Sequence, residues 1–261
     1  MRRLIELLIA AGIGAVGTHY LGKKPRRRHR RHEQFLAQTS GSTMGISHDL
    51  LSVVHFLLTN ALSDRQQPVW RTAENHSTRF APTIVITVTT GLDAWLSELI
   101  AFARPWLGVT AEQVEAVINI GTVPDKYERT SELLLGKQLR ASTALRQLAK
   151  LRNEIVHFLP YAQDITGQTV PDWLQYLEQY DLLITTNRDV DFHFSQKLCS
   201  YALAYWACET AHEAAAQFAS KAQSNQNLHF VQAGNFRVTA GIHAPEELKA
   251  YDAQHRLTLT P

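Results

Sequence analysis

An arginine, an asparagine directly after it and a histidine five positions past the arginine stand together in this chain as Arg152, Asn153 and His157. These are side chains that can cleave RNA without a metal ion. RNA carries its own nucleophile, the 2′-OH. Cleavage then needs a base for that proton, a cation for the charge that builds on the phosphorane, and an acid for the departing 5′ oxygen. Imidazole can serve as base or acid near neutral pH. Guanidinium matches phosphate through paired N–H donors, and a carboxamide orients phosphate or imidazole without altering the charge. An Arg with a His several residues later is common, but fixing both the Asn and the spacing brings chance occurrence to roughly one chain in a hundred.

The element that must carry these residues is a helix starting at Ser142 or Thr143 and stopping before Pro160. Leu145, Leu148, Leu151, Ile155 and Leu159 form its apolar face. Arg146, Lys150, Asn153 and His157 follow one another at steps of four, three and four, a polar stripe nearly opposite. Arg152 does not join the stripe, because an ideal wheel sets it among Leu145, Leu148 and Leu159, about 140° from His157. Either it is a buried Arg satisfied by Asp93 or Glu98 of a preceding core helix, or its long side chain reaches a cleft where it meets phosphate. For His157 the competing role is structural, since a His near a helix end is more often a capping or surface residue than a catalyst.

The decapeptide LRNEIVHFLP, residues 151–160, resembles the R-x4-6-H signature of the HEPN superfamily. These are all-α domains, many of them endoribonucleases of bacterial toxin–antitoxin, abortive-infection and other defence systems. The stretch GLDAWLSELI, residues 91–100, looks like the early core helix of one large branch, and the helical pattern after Asp191 suits a closing helix. The resemblance thus spans about Gly45 to Gln223. It implies catalytic roles for Arg152, Asn153 and His157, and the residues around them, Arg146, Lys150, Glu154, Asp93 and Glu98, are the candidates to support them or to contact RNA. It also implies products with 2′,3′-cyclic phosphate and 5′-OH ends, no cofactor and no metal, and a homodimer in which two motifs share one cleft. An antitoxin or other defence-system partner would be expected. Some members are non-catalytic, so a scaffold that binds RNA or a protein is the competing class.

Elsewhere the chain reads as mostly helical. Residues 83–90, TIVITVTT, are β-branched and would favour a strand on propensity. Their period argues for a helix from Pro82 to Phe102 instead, with Ile84, Val85, Val88, Leu92, Trp95, Leu96, Leu99 and Phe102 in one sector. Further helices are expected over Ser47–Ala61, after the Thr110/Gln113 cap as far as Gly121, over Asp172–Leu183 and over Phe192–Gln223. Past Ser224, residues 228–232, 235–239 and 256–260 read as short β segments split by Gly and Asn. The predicted organisation is therefore an apolar and polybasic arm (1–35), an all-α, HEPN-like helical bundle (36–225) and a small β-rich appendage (226–261).

The net charge of +2 hides a division. Residues 1–32 hold nine Lys and Arg against Glu6, giving +8, which leaves −6 for residues 33–261. A basic overall balance therefore says nothing for a nucleic-acid-binding fold in the body of the chain. Leu4–Leu21 is apolar apart from Glu6, Thr18 and His19, and the run KKPRRRHRR follows it from Lys23. That reads as a membrane anchor through residues 4–22 with the rest of the chain cytoplasmic. The alternatives are a signal peptide, for which no convincing cleavage site is present, and a basic arm that binds RNA or anionic lipid. Gly12, Gly14 and Gly17 spell G-x-G-x-x-G, but the basic run leaves no room for the helix a dinucleotide site requires. Cys199 and Cys208 suggest neither a disulfide framework nor a zinc site.

Overall fold

The computed structural model describes residues 45–61, 78–157, 171–184 and 194–248. Its elements are α1 (Ile46–Ala61), α2 (Ala81–Leu107), α3 (Ala111–Ile118), α4 (Val123–Leu135), α5 (Thr143–Val156), α6 (Asp172–Gln179), α7 (Phe194–Lys197) and α8 (Tyr201–Ala222). Two 3-10 turns follow at Gln226–Leu228 and Gly234–Phe236. The described residues are mostly helical and contain no strand.

α2 is the centre, with α1, α3, α4, α5 and α8 all packed on it. Its β-branched start is helical because burial outweighs intrinsic preference. Each Val, Ile or Thr costs a helix about half a kcal/mol, whereas full burial of an aliphatic side chain returns about 1.5–3 kcal/mol. Ile84, Val85, Val88, Leu92, Leu96 and Ile100 are all completely buried. The hydroxyls of Thr87, Thr89 and Thr90 donate to the carbonyls one turn back, at 2.7, 2.7 and 2.8 Å, so these polar groups are satisfied within the helix. Phe102, expected on the apolar face, is exposed instead. By length and composition Ala81–Pro105 could cross a bilayer, yet it is the core helix here, 61% buried. The arm over residues 1–35, with its expected anchor, lies outside the described residues.

α4 was not anticipated, although its signals are ordinary ones. Thr122 accepts a hydrogen bond from the Asp125 amide at its N-cap, Pro124 sits in the first turn, and Gly136 ends it with φ 66°. Gly108 ends α2 in the same left-handed conformation, φ 65°, which glycine adopts without a Cβ clash. α3 has the expected capping box between Thr110 and Gln113.

The helix expected over Phe192–Gln223 is broken. Ser200 is extended and its Oγ accepts from the Leu203 amide, starting α8 anew. The break frees the Cys199 carbonyl to accept from the Thr78 amide at 2.7 Å. α6 likewise stops at Gln179 rather than at Leu183. Asp181 takes φ 52°, and the Leu182 amide turns back to the Leu177 carbonyl at 2.9 Å.

The expected β appendage is corrected within the described part of 226–261. Residues 228–232 and 235–239 are 3-10 turns and bends that lay Leu228, Val231, Phe236 and Val238 into the helical core. Phe236 stands edge-on to Trp95 at 5.4 Å, beside Phe218 at 5.7 Å from the same indole. The His55 ring meets the Val238 carbonyl at 2.7 Å, and Thr239 Oγ1 donates to Glu209. The short apolar segments read as strands are here a set of anchors from a winding segment. The third expected segment, 256–260, lies outside the described residues.

Candidate functional site

α5 begins as expected, with Ser142 Oγ accepting from the Leu145 amide at 3.1 Å. Leu145, Leu148 and Leu151 are fully buried and fix the rotation of the helix. Ile155 is only half-buried, and Leu159 lies outside the described residues. On the polar stripe Arg146 is exposed and pairs with Glu128 of α4. The same carboxylate accepts from the Ala141 amide at 3.0 Å and from Gln138 at 3.0 Å, tying down the α4–α5 connection. Lys150 approaches Asp172 of α6 at 3.5 Å, a pair between two exposed groups worth about 1 kcal/mol at most. Glu154 is half-buried and is not among the residues that line the cleft described next.

Arg152 is half-buried and faces a cleft of about 60 Å³ between α2, the Ile120–Val123 turn and α5. Thr89, Thr90 and Asp93 line it from α2, Gly121 and Thr122 from the turn, and Asn153 stands beside Arg152. Arg152 Nη1 donates to Asn153 Oδ1 at 3.0 Å.

Neither carboxylate expected to satisfy Arg152 does so. Asp93 Oδ1 is 2.6 Å from Lys126 Nζ, on the unanticipated helix α4. Glu98 turns to the start of α1, accepting from the Ser47 amide at 3.1 Å and from Ser47 Oγ at 2.5 Å. The two acids are five residues apart on α2, about 140° around the helix, enough to send them to different neighbours. Among the described residues, then, Arg152 has no carboxylate partner. With Asp93 neutralised by Lys126, the guanidinium leaves the cleft with net positive character.

His157 is the C-cap of α5. Its amide donates to the Asn153 carbonyl at 2.8 Å and the residue is exposed. It does not line the Arg152 cleft. Arg152, Asn153 and Asp93 are thus brought together in the cleft lining, while His157 caps the end of α5 and is not part of that lining.

Two thiols and a phenol are held in their protonated forms by burial. Burial pushes the Cys199 and Cys208 thiols above their usual range, so neither supplies thiolate near neutral pH. Burial likewise raises the Tyr127 phenol, which donates to Gln217 Oε1 at 2.9 Å. Sequence reasoning missed Lys126 and the threonines Thr89, Thr90 and Thr122. The cap sequence Thr122, Pro124 and Asp125, with Gly136 beyond, was the signal that could have placed α4, though not the direction of the Lys126 side chain. Compared with protein-family models, curated proteins and solved structures, the chain matches none.

Proposed function

We propose that this chain is a HEPN-type endoribonuclease that cleaves single-stranded RNA without a metal ion, in a toxin or anti-phage defence role. The observation that carries the reading is Arg152, a half-buried guanidinium facing a cleft with no carboxylate partner among the described residues. In the proposed step the 2′ oxygen forms a bond to phosphorus as the bond to the 5′ oxygen breaks. The 2′ proton goes to a base and the 5′ oxygen takes one from an acid, His157 serving in one of these roles. Arg152 takes the charge on the equatorial oxygens, and Asn153, already bonded to Arg152, holds it in place. The exposed position of His157 suits a cleft completed by RNA or by a second copy of the chain. Purified protein should cut single-stranded RNA in EDTA and leave 2′,3′-cyclic phosphate ends. RNA that is bound but uncut between about pH 6 and 8, where imidazole titrates, refutes the reading.

The second reading is a non-catalytic scaffold for RNA or a protein partner, favoured by the absence of His157 from the cleft lining. Expression in bacteria separates the two. Residues 33–261 should arrest growth, with His157→Ala relieving the arrest, if the chain is a toxic nuclease. The proposed location is the inner face of a membrane, held through residues 4–22. Full-length protein that fractionates as soluble, unchanged by deletion of Leu4–Leu21, removes the anchor.

A further inference from the structure

Asp93 and Arg152 line one small cleft and carry opposite charges, yet they do not pair. Asp93 turns instead to Lys126 at 2.6 Å. The Lys126 side chain is only 3% exposed, whereas that of Asp93 is 42% exposed. Lys126 Nζ also donates to Ser97 Oγ at 3.2 Å, one turn along α2 from Asp93. The ammonium is thus held from two sides inside the packing of α4 on α2. An unclaimed carboxylate beside a guanidinium would close onto it, since the planar fork of Arg matches carboxylate and phosphate equally well. Among the described residues Arg152 spends one donor on Asn153 Oδ1, which leaves the rest of its fork for an anion.

We infer that Lys126 is a positioning residue whose buried ammonium holds Asp93 away from Arg152 and so keeps the guanidinium open to a phosphate group. This rests on the reading of Arg152 as the phosphate-binding group of the cleft. The cleft, about 60 Å³, has room for a few water molecules, the scale of one phosphate group and not of a base. If Asp93 captured Arg152 in about nine molecules of ten, apparent phosphate affinity would fall about tenfold, because only the open fraction binds.

Inorganic phosphate is the probe, read as the rise in melting temperature of the full chain over chloride at matched ionic strength. Wild type should show a rise that Arg152→Ala removes. Lys126→Met should bind phosphate about tenfold more weakly, and adding Asp93→Asn should restore binding to within about twofold of Asp93→Asn alone. A merely structural lysine would not be rescued in this way. Lys126→Met that folds and binds like wild type overturns the inference, as does a wild type without an Arg152-dependent rise. Where Lys126→Met does not fold, Asp93→Asn is compared with Asp93→Asn/Lys126→Met, in which both charges of the Lys126–Asp93 pair are gone. A loss of about tenfold between those two would mean that Lys126 meets the anion itself and would also overturn it. RNA cleavage by the same proteins separates the two claims. Phosphate binding in the expected pattern with no cleavage by wild type sinks the nuclease and leaves the device standing, and cleavage that needs Arg152 but ignores Lys126 does the reverse.

Discussion

Arg152→Ala and His157→Ala together distinguish catalytic residues from structural ones. Had Arg152 been ion-paired with Asp93 or Glu98, its removal would strand a carboxylate at a cost of about 3–5 kcal/mol. The geometry gives a smaller figure. Among the described residues what is lost is one hydrogen bond to Asn153 Oδ1 at 3.0 Å, worth about 1.5–3 kcal/mol for a charged donor and reduced by half exposure to about 1–2 kcal/mol. For a domain of this size that lowers the melting temperature by about 2–8 °C. His157 is exposed and caps α5 through its backbone amide, which alanine keeps. Its substitution should change stability by less than about 1 kcal/mol. Activity should respond quite differently. Loss of the imidazole should cost about 10²-fold or more in cleavage rate, and loss of the guanidinium about 10²–10³-fold. The assay pairs thermal melts with EDTA-resistant cleavage of a fluorescent RNA, and mass spectrometry of the ends identifies the cyclic phosphate. An Arg152→Ala protein that melts more than about 10 °C early would refute the unpaired-guanidinium geometry. Activity in both variants that follows only the folded fraction would refute the catalytic assignment.

Phe236→Ala should cost about 3 kcal/mol or more and lower the melting temperature by at least about 6 °C, since Phe236 is packed edge-on against Trp95; a shift near zero would mean that 226–248 is not part of the core. Ser142→Ala removes the cap of α5 and should cost about 1 kcal/mol, while cleavage per folded molecule stays unchanged. Because burial raises the Tyr127 phenol, the unfolded chain loses that proton first, and stability should fall by up to about 1.4 kcal/mol per pH unit above about pH 10. Tyr127→Phe should make the slope shallower in urea titrations, the remainder belonging to other groups that burial raises, such as Cys208, and an unchanged slope would refute the role of Tyr127.

The helical character of this chain was legible because its apolar residues recur at the helical period. In α2 that period was informative where the β-branched composition pointed the wrong way, since burial of Ile84, Val85 and Val88 outweighs their weak helix preference. The caps at Thr110 and Ser142 were equally legible, being local hydrogen bonds between residues three apart. Contacts distant in sequence were not. No local signal shows that Asp93 meets a lysine 33 positions later, that Glu98 bonds to Ser47, or that Phe236 rests on Trp95. The wheel placed Arg152 away from the stripe of His157 but could not say what it faces, because a wheel describes one helix and a cleft requires three elements. Sequence determined which side chains are present and how each helix turns them. Tertiary packing decided which charges neutralise one another, and through that left the Arg152 guanidinium without a carboxylate partner among the described residues, because pairing depends on distances that only the packed helices set.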